Sequence, residues 1–83
     1  MISEAGVLLL YHTAGCHLCE QAEALAAPLA AQHDWVLQRL DIADDEALLE
    51  RYATRIPVLR DPQRERELGW PFDAQMVLDL LAS

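Results

Sequence analysis

Lysine is absent from this chain, and six arginines are its only permanent cations against fourteen acidic residues, for a formal net charge of −8. Binding to nucleic acid or to an anionic membrane needs clustered positive charge to meet phosphates, so neither partner is expected. The acidity reads first as solubility, with a preference for basic partner surfaces as the sharper alternative. Long hydrophobic runs are also missing: the longest, Val7 to Tyr11, falls far short of the ~20 apolar residues that span a bilayer. Met1-Ile2-Ser3-Glu4 lacks the basic stretch, long apolar segment and cleavage site of a signal peptide. A cytoplasmic protein is therefore expected. Cysteine is scarce, with two residues in the chain. In a reducing compartment a permanent staple is a poor explanation for such a pair, which leaves redox catalysis or metal binding.

With 83 residues, 53% of them hydrophobic, the chain holds enough apolar material for one core and not for two. One domain over residues 1–83, acting as a monomer, is the expectation. Val7-Leu8-Leu9-Leu10-Tyr11 is a continuous apolar run closed by Thr13-Ala14-Gly15, the pattern of a strand buried on both faces. From Leu18 onward, Leu18, Ala22, Leu25, Ala26 and Leu29 share one helical face. Pro28 lies inside that stretch, where its missing N–H and its ring predict a kink or an early end. A second strand is expected within Trp35 to Ile42. A second helix of about ten residues follows from Asp44-Asp45-Glu46, whose negative charge suits a helix N-terminus, with Arg51 and Arg55 near its end. Ile56-Pro57-Val58-Leu59 reads as a short strand left through Arg60-Asp61-Pro62, with Glu65 to Trp70 as a polar hairpin partner. Asp73 is placed to cap a last helix, and Phe72 and Val77 to form a hydrophobic staple across its start. The order is β-α-β-α-β-β-α, an α/β chain without internal repeat or linker.

Cys16-His17-Leu18-Cys19 follows the first strand and opens the first helix. Partial positive charge and free amide donors at a helix N-terminus favour a thiolate at Cys16 and depress its pKa. The thiolate is the nucleophile. Cys19, one turn on, is close enough to attack a mixed disulfide formed at Cys16 and release the substrate. The same spacing is half of a zinc site, but no second pair of cysteines or paired histidines completes one, so no metal is expected. A redox pair is the favoured reading.

Val7 through Ala22, with its core Tyr11-His12-Thr13-Ala14-Gly15-Cys16-His17-Leu18-Cys19, resembles the active-site segment of the glutaredoxins. Thr54-Arg55-Ile56-Pro57-Val58-Leu59 is similar to the segment carrying that family's cis-proline, which faces the cysteines. Leu68-Gly69 with Asp73 matches, more weakly, the place of its Gly-Gly turn and acidic residue. The resemblance spans nearly the whole chain, and more narrowly it is to a group of short bacterial glutaredoxin-like proteins. It implies the thioredoxin fold, with a four-stranded mixed sheet flanked by three helices. It also implies a thiol–disulfide oxidoreductase in which Cys16 attacks, Cys19 resolves, and Thr13, Ile56, Pro57, Gly69 and Asp73 meet the substrate. The backbone of Ile56 would pair with an extended substrate chain, and Pro57, having no N–H, would leave room for it.

The chain also departs from the family. His17-Leu18 replaces the usual Pro-Tyr, and Thr13 replaces a lysine that helps hold a glutathione carboxylate. Trp70, followed by Pro71, replaces the second glycine of the turn. Glutathione is accordingly expected to be a poor substrate, and no cofactor is expected beyond the redox-active disulfide itself. Leu10 stands where thioredoxins proper carry a buried aspartate, so a glutaredoxin-like description is the apter one. His17 would modulate the thiolate, with an exposed rim position as the equal alternative. Trp70 is read as a site wall or a core residue, and Arg55 as a partner for a substrate carboxylate or a solvated helix end. His12 and His33 are assigned no chemistry. The expected partners are a protein or low-molecular-weight disulfide and a reductant that the sequence does not name. Two other classes stay open: a metal or iron–sulfur protein using Cys16 and Cys19, and a non-catalytic adaptor that keeps the fold.

Overall fold

A computed structural model describes residues 6–82. Along the chain run β1 (Gly6–His12), α1 (His17–Gln32), β2 (Trp35–Asp41), a short 3-10 turn (Ile42–Asp44), α2 (Glu46–Tyr52), β3 (Val58–Asp61), β4 (Arg66–Gly69) and α3 (Ala74–Ala82). The strands lie in the order β2-β1-β3-β4. β1 pairs parallel with β2 and antiparallel with β3, and β3 pairs antiparallel with β4, so the sheet is mixed.

Alternation of side chains along β1 divides the core in two. Leu8 and Leu10 pack on one face with Ala22, Ala26 and Ala30 of α1 and Val77, Leu80 and Leu81 of α3. On the other face Tyr11 packs with Ile42, Tyr52 and Val58, backed by Leu9, Leu40, Leu48 and Ile56. A strand covered on both faces has no polar side to present, which is why its sequence is apolar from Val7 to Tyr11. Where β1 meets β2, Gly6 lies opposite Trp35, and a Cβ there would stand 2.9 Å from the indole ring.

Several elements differ from the sequence expectation, each for a local reason. α1 continues through Pro28 to Gln32. Pro28 and Ala24 are both exposed, so the carbonyl four residues back, which loses its amide partner, faces water. Leu18 is 45% exposed. Cys19 takes the sheet-facing position in the first turn, and the buried stripe runs Cys19, Ala22, Ala26 and Ala30, with Leu25 and Leu29 at its margin. α2 is only 7 residues long, capped by Asp45, whose carboxylate accepts the N–H groups of Ala47 and Leu48 at 2.9 and 3.2 Å. Arg55 lies beyond that helix. Asp73 does cap α3, accepting the Met76 N–H at 2.9 Å, while Phe72 and Val77 pack in the same cluster as a staple. Among the described residues no helix is long and apolar enough to cross a membrane.

Glu67 on β4 ties three elements together. Its carboxylate accepts hydrogen bonds from the Tyr52 hydroxyl, from Arg55 at 3.0 Å and from Arg60 at 3.1 Å. The Tyr52 ring also stacks on Tyr11, centroids 4.5 Å apart, with the Arg55 guanidinium 5.0 Å above it. Burial by itself would raise the Glu67 pKa, but the bonds from Tyr52 and the two arginines outweigh it and hold the carboxyl below its ordinary value. Tyr52 is shifted the other way, first by burial and then by its bond to Glu67.

Two outcomes follow for stability. Asp73→Ala removes a cap worth about 1 kcal/mol. Thermal unfolding followed by circular dichroism should then show a Tm lower by about 4–8 °C in a domain of this size. Glu67→Gln should destabilise most at neutral pH. The folded chain holds this carboxylate ionised better than the unfolded chain does, so the gap from wild type is complete above the ordinary glutamate value of about 4.3 and closes as pH falls through the lowered one. Melts of both proteins from pH 7 down to pH 3 check it, and a gap independent of pH would count against the assignment.

Candidate active site

β1 ends at His12 and hands the chain to a tight turn, Thr13 to Gly15, before α1 begins. Gly15 has φ +78°, a left-handed conformation that glycine adopts without strain. The Cys16 N–H then reaches back to the Thr13 carbonyl at 3.3 Å. Cys16 itself is the N-cap of α1, with extended φ −84° and ψ 101°, and its sulfur accepts the Cys19 N–H at 3.1 Å. Sulfur takes the place that a serine or aspartate oxygen fills at other helix starts.

Cys16 and Cys19 are joined as a disulfide, their Cα atoms 5.2 Å apart. The two are not equivalent. Cys16 is half-buried and faces the surface, whereas Cys19 is 4% exposed and belongs to the core side of α1. An incoming reagent meets Cys16 first, and on reduction the Cys19 amide and the helix start are already aimed at its sulfur, an arrangement that favours thiolate.

A groove of about 170 Å³ opens on this disulfide. Its floor is the turn from His12 to Cys16 with Cys19, and its wall is Glu20 and Glu23 of α1 with Arg39 of β2. Arg39 pairs with Glu23 at 3.3 Å. Next to the groove, Asp41 stands opposite His12 in the parallel register. Its carboxyl is held below the usual range first by the Ala43 N–H, then by the Thr13 hydroxyl, with His12 adding a weaker attraction. Thr13 thus supplies a donor to an acidic neighbour where the family resemblance would have a cation.

The other residues singled out in the sequence are placed as follows. His17 is exposed, with Nδ1 3.5 Å from Glu20, so its ring is drawn along the helix surface. The β1–β3 register ends with Tyr11 opposite Val58, so Pro57 and Ile56 precede β3 at the end of the sheet where β1 runs into the reactive turn, and neither lines the groove. Pro57 is buried, and its carbonyl accepts the Trp70 N–H at 3.2 Å. The Ile56–Pro57 and Trp70–Pro71 peptide bonds are cis. The Ile56 N–H is committed to the Tyr52 carbonyl at 3.1 Å, so only half of its expected backbone pairing group is open to a substrate. Trp70 is half-buried and packs edge-on against Phe72, centroids 5.0 Å apart, which is the core reading of this residue. Gly69 ends β4 opposite Val58, with room for a side chain, and the Asp73 carboxylate is spent on α3. Neither Gly69, Trp70 nor Asp73 lines the groove. Arg55 pairs with Glu67, so its substrate reading is replaced by a structural one.

The sequence reading passed over Glu20, Glu23, Arg39 and Asp41. Helical spacing could have found the first two, since positions four and seven after Cys16 share its face. Arg39 and Asp41 arrive only through the parallel register of β1 and β2. Among the described residues no cluster of three or more His, Cys, Asp or Glu side chains is arranged to hold a metal ion.

Comparison with known proteins agrees with this architecture. Residues 7–82 match the family model described as Glutaredoxin-like domain (DUF836). The X-ray structure of target protein XcR50 from X. campestris is 44% identical, with TM-score 0.76, over 92% of this chain and 97% of that one. The solution NMR structure of protein Ne2328 from Nitrosomonas europaea is 30% identical, with TM-score 0.80, over 96% of this chain and 95% of that one. A mutant thioredoxin from Halobacterium salinarum, 24% identical with TM-score 0.73 over 94% of this chain and 73% of that one, shares the fold. None of the curated proteins matches. Together with the Cys16–Cys19 pair at the start of α1, the family match and these structural likenesses establish that the chain has the thioredoxin fold and belongs to the glutaredoxin-like family.

Proposed function

We propose that the chain is a thiol–disulfide oxidoreductase working through Cys16 and Cys19 alone, without metal or further cofactor. The observation that carries this reading is the asymmetric pair at the N-terminus of α1: an accessible Cys16 that accepts the Cys19 N–H, joined to a buried Cys19. In the reduced protein the Cys16 thiolate attacks a substrate disulfide, forming a mixed disulfide and releasing one thiol. The Cys19 sulfur then displaces the second thiol from Cys16 and closes the internal disulfide. A dithiol or a pair of thiols restores the reduced state.

Pro57 and Ile56, at the end of the sheet that carries the reactive turn, fit the same reading. Pro57 has no N–H, and with the Ile56 amide engaged by Tyr52, pairing with an extended substrate falls to the Ile56 carbonyl. Thr13 offers no positive charge to a glutathione carboxylate. Glutathione mixed disulfides are therefore poor substrates, and the physiological partner is another low-molecular-weight disulfide or a protein.

Single-serine variants test the roles. At pH 7, reduced Cys19→Ser protein should be alkylated at Cys16 faster than Cys16→Ser protein is at Cys19, with a midpoint below the free-thiol value of about 8.5. Equal rates with both midpoints near that value would remove the assignment. In a glutathione-coupled assay run beside an ordinary glutaredoxin, the wild-type chain should turn over more slowly, and a matching rate would show that the missing cation at Thr13 does not limit the site.

A further inference from the structure

The groove beside the disulfide has a charge as well as a shape. Glu20 and Glu23 stand one and two helical turns from Cys16, and the one arginine in the wall is already paired with Glu23 at 3.3 Å. In the turn, where the resemblance would place a lysine, stands the uncharged Thr13, and Asp41 lies opposite the neighbouring His12. The local excess is negative, and it sits within a chain of formal net charge −8. We propose that this groove selects disulfides by charge, taking those with a cationic group next to the scissile bond, such as amines or basic peptide segments, and disfavouring those with a carboxylate there.

This selection rests on the dithiol reading above and names its substrate class. The chemistry is the same for every substrate. As the Cys16 sulfur bonds to one substrate sulfur, the substrate S–S bond breaks and the first thiolate leaves; Cys19 then displaces the second. Two electrons pass from the protein dithiol to the substrate, and the two cysteine protons end on the released thiols. Dithiothreitol, a small dithiol, returns the protein to its reduced form. Charge enters only through the approach of the substrate to Cys16. The Glu20 backbone lies about 6 Å of helical rise from that of Cys16. At such a separation one unit charge in water changes an encounter by about two- to threefold, so exchanging a cation for an anion changes it by about fivefold or more.

The experiment uses protein reduced with dithiothreitol, desalted, and mixed at pH 8. Three model disulfides are compared: cystamine (diammonium), hydroxyethyl disulfide (neutral) and dithiodipropionate (dicarboxylate). Oxidation is followed by quenching with iodoacetamide and weighing the protein. Each rate is divided by that of dithiothreitol with the same disulfide, because its attacking thiolate carries the same charge. The normalised preference for cystamine over dithiodipropionate should be about fivefold or more at low ionic strength, and it should shrink toward unity in 1 M salt, where the screening length is about 3 Å. Glu20→Gln should remove most of it, a reduction of about fivefold, while leaving the neutral disulfide little affected. Glu50→Gln makes the same change in net charge on an exposed position of α2, across the sheet from α1, and should leave the preference in place. A preference near unity at low salt, or an equal loss in Glu20→Gln and Glu50→Gln, overturns the proposal. Failure of hydroxyethyl disulfide to oxidise the wild-type protein would instead overturn the dithiol reading on which it rests.

Discussion

The structure depends on β1 being enclosed on every side. It is hydrogen-bonded to β2 along one edge and to β3 along the other, and it carries the two halves of the core on its opposite faces. A strand so placed cannot shift by one residue without moving every side chain to the wrong face. Its C-terminal end is therefore a rigid platform, and the reactive turn is built directly on it. Thr13 to Cys16 need only one permissive backbone position, Gly15, to turn the chain from strand into helix.

From that platform α1 supplies both the chemistry and its asymmetry. The stripe of Cys19, Ala22, Ala26 and Ala30 binds the helix to the sheet through small side chains. That anchoring is what buries Cys19 while leaving Cys16 at the edge. The exposure of Leu18 has the same origin, because the position a quarter turn away from Cys19 must point outward. An apolar side chain at 45% exposure beside the disulfide gives the site mouth a small greasy rim, next to an acidic groove.

The scarcity of cations shapes the rest. Arg39, Arg55, Arg60 and Arg64 each approach a carboxylate oxygen within 3.5 Å, so most of the few positive charges are spent within the fold. Arg55 and Arg60 converge on Glu67, the first fastening β4 to the chain beyond α2 and the second bracing β4 against β3. Arg64 meets Asp61, the one charged residue buried among those described, whose other oxygen accepts the Gln63 N–H at 3.1 Å in the β3–β4 turn. With its arginines engaged in this way, the protein presents carboxylates to an approaching molecule.

The sequence by itself determined the elements whose cause is local. An apolar run between turn residues became β1, Asp45 and Asp73 became caps because a short carboxylate reaches the amides of the next turn, and the Cys16–Cys19 spacing placed both sulfurs at a helix start. The resemblance to glutaredoxins was legible in the same stretch. Whatever depended on two distant segments meeting was decided by tertiary structure. Pro28 stays within α1 because the face it occupies turned out to be wet, and Arg55 became a fastener because β4 brought Glu67 to it. Trp70 went to Phe72, and Ile56 gave its amide to Tyr52. Arg39 and Asp41 reached the site through a parallel register joining residues nearly thirty positions apart, which no local pattern encodes. Propensity and capping act over a few residues, whereas the charge around a reactive sulfur is a sum over everything that packing brings near it.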